Sequence, residues 1–119
     1  MTEHYELPRD GEALLSFDGV ELATIDTKSQ GKPSWTEMTV FRTNGGSYVV
    51  QTVARTDRAD WHEWFSATIY ESATEALKCI WPRGKYSKPA FTLLDRAAEH
   101  DDAIRDALDD IENQVETID

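Results

Sequence analysis

The chain has 119 residues and one cysteine, is 39% hydrophobic and carries a formal net charge of −11. That length supports one core, and the composition is that of a folded domain. It excludes a disordered chain, an internal disulfide, and a membrane-spanning helix, since no apolar run approaches the roughly 18 residues one needs. The mixed, acidic start MTEHYELPRDGE is unlike a secretory leader, and the lone Cys79 suits a reducing, cytoplasmic setting.

Residues 1–12, punctuated by Pro8 and Asp10-Gly11, read as a loose N-terminal arm to a single domain spanning 1–119. Ala13 to Phe17 is a short strand candidate, Asp18-Gly19 a tight turn, and Val20 to Ile25 a second strand with Val20, Leu22 and Thr24 on one face. Leu14, Phe17, Leu22 and Ile25 are expected in the core. Asp26 to Ser34 is polar, contains Gly31 and Pro33, and reads as an exposed loop.

Trp35 to Ala54, WTEMTVFRTNGGSYVVQTVA, is the clearest element. Apolar residues alternate through its first arm, and β-branched and aromatic types fill its second. Asn44-Gly45-Gly46 marks a hairpin turn, either a two-residue primed turn or a longer loop with a glycine bulge. The two choices put opposite side chains inward. A strand, not a helix, follows the glycines, so they are a turn rather than a phosphate cradle.

Arg55 to Glu63 is a charged connector. Trp64 to Tyr70 reads as a strand in its second half. Ser72-Ala73-Thr74-Glu75 has capping-box spacing, and Ala73, Ala76, Leu77, Ile80 and Trp81 then form a helical face that Pro82 stops. Arg83, Lys85, Tyr86 and Lys88 make a basic loop. Pro89 suits a first helical turn, with Ala90, Phe91, Leu94 and Ala98 at helical spacing. Ile104, Leu108, Ile111, Val115 and Ile118 continue as a heptad-like seam. Glu99 to Asp102 either breaks this region into two helices or surfaces one long one. The expected fold is therefore α+β: an antiparallel sheet of four to five strands, a short helix, and a long acidic C-terminal helix or helix pair packed on it.

Charge is uneven. Residues 99–119 hold nine carboxylates and one arginine, a net −8, leaving −3 for the rest. Such a field repels nucleic acid and attracts a partner with a basic surface. Asp102, Asp106, Asp109, Asp110 and Glu112 are interface candidates on that helix; the seam is suited to the protein's own sheet or to a homodimer. Carboxylates along a helix can also imitate duplex phosphates, as in an inhibitor of a nuclease or other DNA-binding complex.

Trp61-His62-Glu63-Trp64 is the most unusual cluster. Trp61 and Trp64 are interface candidates, since exposed tryptophans are common binding anchors. Neighbouring His62 and Glu63 diverge on a strand or a helix and form no direct acid–base pair. His4, His62 and His100 are scattered, no metal-site spacing occurs, and the aspartates lack the glycine of a calcium loop. No cofactor is indicated. A non-catalytic protein-binding role leads, with a pocket near Arg42, Tyr48, His62 and Trp64 as the enzyme or ligand-binding alternative.

Phe17-Asp18-Gly19, the run Phe41 to Val50 (FRTNGGSYVV) and the terminal Glu116-Thr117-Ile118-Asp119 give the chain a resemblance to the small bacterial EXLDI family. Ile118 stands where that family's motif has Leu. The resemblance implies a bacterial cytosolic protein and carries over no catalytic or binding residue.

Overall fold

A computed structural model of the protein describes residues 2–28, 31–80 and 88–113, with backbone alone at 88–90 and 111–113. Five strands, β1 (Glu3–Leu7), β2 (Leu15–Asp26), β3 (Ser34–Thr43), β4 (Tyr48–Thr56) and β5 (Trp64–Tyr70), form one antiparallel sheet in sequence order. Three short helices follow, α1 (Ala73–Ile80), α2 (Lys88–Ala98) and α3 (Asp102–Asn113). The fold is α+β, as the residue patterns indicate.

The hairpin has the longer turn. The Gly46 amide bonds the Thr43 carbonyl at 3.0 Å, the Thr43 amide bonds the Ser47 carbonyl at 2.8 Å, and Gly46 has φ 89°. This three-residue loop with a left-handed glycine pairs Arg42 with Tyr48, Val40 with Val50 and Met38 with Thr52. Phe41 and Val49 take the opposite face.

The N-terminal third departs from expectation. In place of a loose arm, Glu3–Leu7 forms β1, an edge strand on β2. In place of two strands and a turn, residues 15–26 form one strand. Gly19 lies inside it, between Glu3 and Thr43, where an added Cβ would sit 2.1 Å from the Arg42 carbonyl oxygen. The glycine serves close strand approach rather than a turn. A bulge between Glu21 and Ala23 leaves Leu22 unpaired. It lets Val20, Leu22, Ala23 and Ile25 all face the helices. Thr24 therefore turns away, bonding Thr39 at 2.9 Å, and Leu14 is exposed.

The helices bury one face of the sheet. Leu77, Leu93, Leu94 and Ile104 are fully enclosed there against Val40, Val50 and Tyr48. Each such side chain contributes about 1.5–3 kcal/mol by leaving water. Ser72 caps α1, accepting the Glu75 amide at 3.2 Å. The other face encloses Leu7, Leu15, Phe41, Val49 and Ala67, with Tyr5 and Phe17 against them. No described helix covers that face. The Asp10 amide and carboxylate bond the backbone of Phe65 at 2.9 Å, joining the segment after β1 to the outer edge of β5 and holding the curl.

The long acidic C-terminal helix is not present among the described residues. Glu99 to Asp101 separates α2 from α3, and α3 is 12 residues long. Ile104 and Leu108, the described start of the seam, pack into the protein's own core. Trp81, the basic loop through Ser87, and Val115 and Ile118 of the seam lie outside the described residues, as do the side chains of Lys88, Ile111 and Glu112.

Candidate functional site

The helix-side face of the sheet has two halves. Near the hairpin turn it bears Arg42, Val40, Met38, Tyr48 and Val50. Toward the opposite end the same rows continue as Thr36 and Ser34 on β3, Thr52, Ala54 and Thr56 on β4, and Ser66 on β5. Small side chains leave the space above the strands only partly filled, so these positions are half-buried or, at Ser66, exposed. The result is a trough.

Two adjoining clefts make it up. One, of about 450 Å³, is bounded by Thr27, Lys32, Trp35, Trp61, His62 and Trp64 around that floor. The other, of about 320 Å³, lies between Asp10, Phe65, Ser66 and Trp64. Both include Ala54 and Trp64, so the Trp64 indole stands as a ridge between them.

The indoles are held in place. Trp64 is 61% exposed and Trp61 48%. The His62 ring meets Trp64 edge-on at 5.0 Å. The Arg58 guanidinium lies 4.4 Å from the Trp61 ring centre, and the Lys28 ammonium 4.4 Å from that of Trp35. Trp35 donates its indole N–H to Glu37 at 3.3 Å. The Trp61 and Trp64 indole N–H groups have no partner among the described residues, and the buried Ser34 hydroxyl has none either. Glu63 turns away from His62 to Arg55, at 3.5 Å. Adjacent in sequence, His62 and Glu63 do not converge.

Arg42 and Tyr48 do not join this cluster. Tyr48 lies six residues before Ala54 on β4, about 20 Å away at roughly 3.3 Å per residue. Both instead hold Asp101, which is 3% exposed. Arg42 Nη1 lies 2.9 Å from Asp101 Oδ2, and the Tyr48 hydroxyl lies 3.0 and 3.1 Å from the two carboxylate oxygens. The Ile104 amide donates to Oδ1 at 3.0 Å, making Asp101 the N-cap of α3. Burial, and then the Asp101 carboxylate, push the Tyr48 hydroxyl up to about 12. Three donors, from β3, β4 and α3, converge on the Asp101 carboxylate, so this is a clamp between sheet and helix. The pattern Asp-Asp-Ala-Ile at 101–104 carries the N-cap signal; its strand partners, some 50 residues earlier, have none.

One triad-like arrangement occurs on the β1–β2 edge. His4 Nδ1 lies 2.8 Å from Asp18, and Ser16 Oγ lies 3.1 Å from His4 Nε2. Glu6 reaches the same nitrogen at 3.4 Å. The hydrogen bond to Asp18 raises the His4 pKa, with Glu6 assisting against desolvation. The ring is open to solvent, and neither His4 nor Ser16 lines a described cleft that could hold a substrate. It is a cross-strand polar ladder.

On α3, Asp102, Asp106, Asp109 and Asp110 are exposed, with Arg105 paired to Asp102. Cys79 is exposed and accepts the Tyr70 hydroxyl. Among the described residues no three His, Cys, Asp or Glu side chains converge as metal ligands, and no helix is long and apolar enough to cross a membrane. No known family, curated protein or solved structure matches the chain.

Proposed function

We propose that the protein is a non-catalytic binding module, cytoplasmic and regulatory or adaptor in role, that engages a partner protein through the trough around Trp61 and Trp64. The observation that carries this reading is the exposure of both indoles beside a bare, small-residue floor. Exposed tryptophan on a rigid sheet is a typical binding anchor, because it offers large contact area at small entropic loss. The rim of the larger cleft carries two indole N–H groups and the Lys32 ammonium, and its His62 ring packs edge-on against Trp64. Selection of displayed peptides on the wild-type protein, with counter-selection on the Trp61→Ala/Trp64→Ala variant, tests it. Peptides that bind only the wild type are expected. Enrichment that is equal on both proteins refutes the trough as the binding surface.

The outward face of α3 supports a second reading. Asp102, Asp106 and Asp109 recur at helical spacing, and all are exposed. Such a ridge suits the cationic groove of a DNA-binding or nuclease complex. Inhibition of such a nuclease that weakens steeply with salt, and is lost in Asp106→Asn/Asp109→Asn/Asp110→Asn, is its expected signature. Inhibition unchanged in that variant rules it out.

A further inference from the structure

We infer that the trough receives a proline-rich segment in the polyproline II conformation. This deepens the protein-binding reading and rests on it. Three independent features of the site point to that ligand.

The first is shape. Trp64 divides the trough into two clefts that share Ala54. A ridge between two hollows suits an extended chain that straddles it, placing one ring on each side, better than one compact molecule. The floor crosses from Ser34 on β3, over Ala54, to Ser66 on β5. That path is diagonal, two inter-strand spacings across and four residues along, about 16 Å. About five residues of polyproline II at about 3.1 Å each span it, with prolines three apart, about 9 Å, on either side of the Trp64 ridge.

The second is the balance of donors and acceptors. A proline-rich chain has few amide N–H groups and many unpaired carbonyls. The larger cleft offers the Trp61 and Trp64 indole N–H groups and the Lys32 ammonium. None of its lining residues is Asp or Glu, in a chain with 23 of them. The nearby acids Glu37 and Glu63 are already held by Arg55. The site thus gives hydrogen bonds to carbonyls and asks for few in return.

The third is preorganisation. Arg58, His62 and Lys28 each fix one indole from one side. Flat, fixed aromatic faces are what pyrrolidine rings pack on, and a stiff ligand meeting a stiff site loses little entropy on binding. These 119 residues do not supply the ligand: their four prolines, at 8, 33, 82 and 89, contain no pair three apart. The net charge of −11 disfavours a nucleic-acid strand as the stacked ligand.

The test is titration of the full-length protein with synthetic twelve-residue peptides bearing Pro-x-x-Pro, followed by the indole N–H resonances of Trp61 and Trp64. Saturable shifts at both indoles are expected. At least a tenfold loss of affinity should follow Trp64→Ala, and a comparable loss should follow replacement of either peptide proline by alanine. Unchanged circular dichroism confirms that the variant is folded. Peptides that bind through the two indoles without regard to proline overturn the polyproline assignment and leave the protein-binding reading standing. Binding of oligosaccharides or single-stranded oligonucleotides there, with no peptide bound, overturns both, as does the absence of any peptide binding.

Discussion

Replacing Asp101 with alanine should be the most damaging single polar substitution in this protein. It removes an N-cap, worth about 1 kcal/mol. It also removes the charge-assisted bond to Arg42, about 1.5–3 kcal/mol, and strands the Tyr48 hydroxyl without its acceptor, about 1–3 kcal/mol. Arg42 keeps a 44% exposed side chain, so water recovers part of its loss. The net is about 3–5 kcal/mol, the usual range for breaking a buried pair from one side. Asp101→Asn retains a carbonyl oxygen for the Ile104 amide but loses the charge and turns an amide NH2 toward Arg42, so it should lose the charge-assisted bond, about 1.5–3 kcal/mol. Unfolding entropy of roughly 2.1 cal/mol/K per residue gives about 4 °C per kcal/mol for a chain of this length. The alanine variant should therefore melt about 12–20 °C below wild type. Urea titration with unchanged m-values supplies the free energies. If alanine and asparagine variants fall within about 0.5 kcal/mol of one another, the clamp is only a helix cap and the Arg42–Asp101–Tyr48 reasoning fails.

Gly19→Ala forces a Cβ to within 2.1 Å of the Arg42 carbonyl, so β2 and β3 must part; a loss of about 1–3 kcal/mol is expected in urea unfolding, and a neutral effect would contradict the observed register. His4 has a raised folded pKa, so its ladder contributes stability fully present below its unfolded value near 6.5, and that contribution fades as pH rises through the folded value. Urea midpoints of wild type minus His4→Gln should therefore fall as pH rises above about 6.5, and a flat difference refutes the ladder. Tyr48, an acid raised from 10 to about 12, contributes stability that persists below pH 10 and disappears as pH climbs to 12; Tyr48→Phe should remove that alkaline loss of thermal stability at the expense of about 1 kcal/mol at neutral pH.

What the residues disclose in advance depends on how local the cause is. The Trp35–Ala54 hairpin is legible because its alternation and its turn glycines lie within one stretch, and α1 because Ser72 and Glu75 sit three apart. β1 is hidden: in Glu-His-Tyr-Glu-Leu only Tyr5 and Leu7 are apolar, and an edge strand needs no more. Asp18-Gly19 has the composition of a turn, yet the glycine answers to the Arg42 backbone, a constraint from 23 residues away. The bulge at Leu22 exchanges Thr24 for Ile25 on the core face and has no sequence mark. Trp61 and Trp64 are visible as unusual residues. That Trp35 joins them, and that Arg42 and Tyr48 do not, follows from register alone.

Register also explains why this fold has a trough at all. Along β4 the helix-facing positions run Tyr48, Val50, Thr52, Ala54, Thr56, and along β3 they run Arg42, Val40, Met38, Thr36, Ser34. Helices pack where those rows are large and apolar, since only there does burial offset the ordering of the chain. Where the rows become small and polar, helix packing gains little, and the strand ends are left for something else to cover. Ala54 sits at the centre of that bare half, shared by both clefts. Ala54→Leu keeps every indole, cation and hydroxyl of the site and raises only the floor. On a half-exposed strand position its effect on stability should stay within about 0.5 kcal/mol. Its effect on peptide binding should be tenfold or more, because the added carbons occupy the place where a straddling chain must cross the Trp64 ridge. If Ala54→Leu binds the same peptides with unchanged affinity, the ligand touches the tryptophans from outside and the trough between them is not its seat.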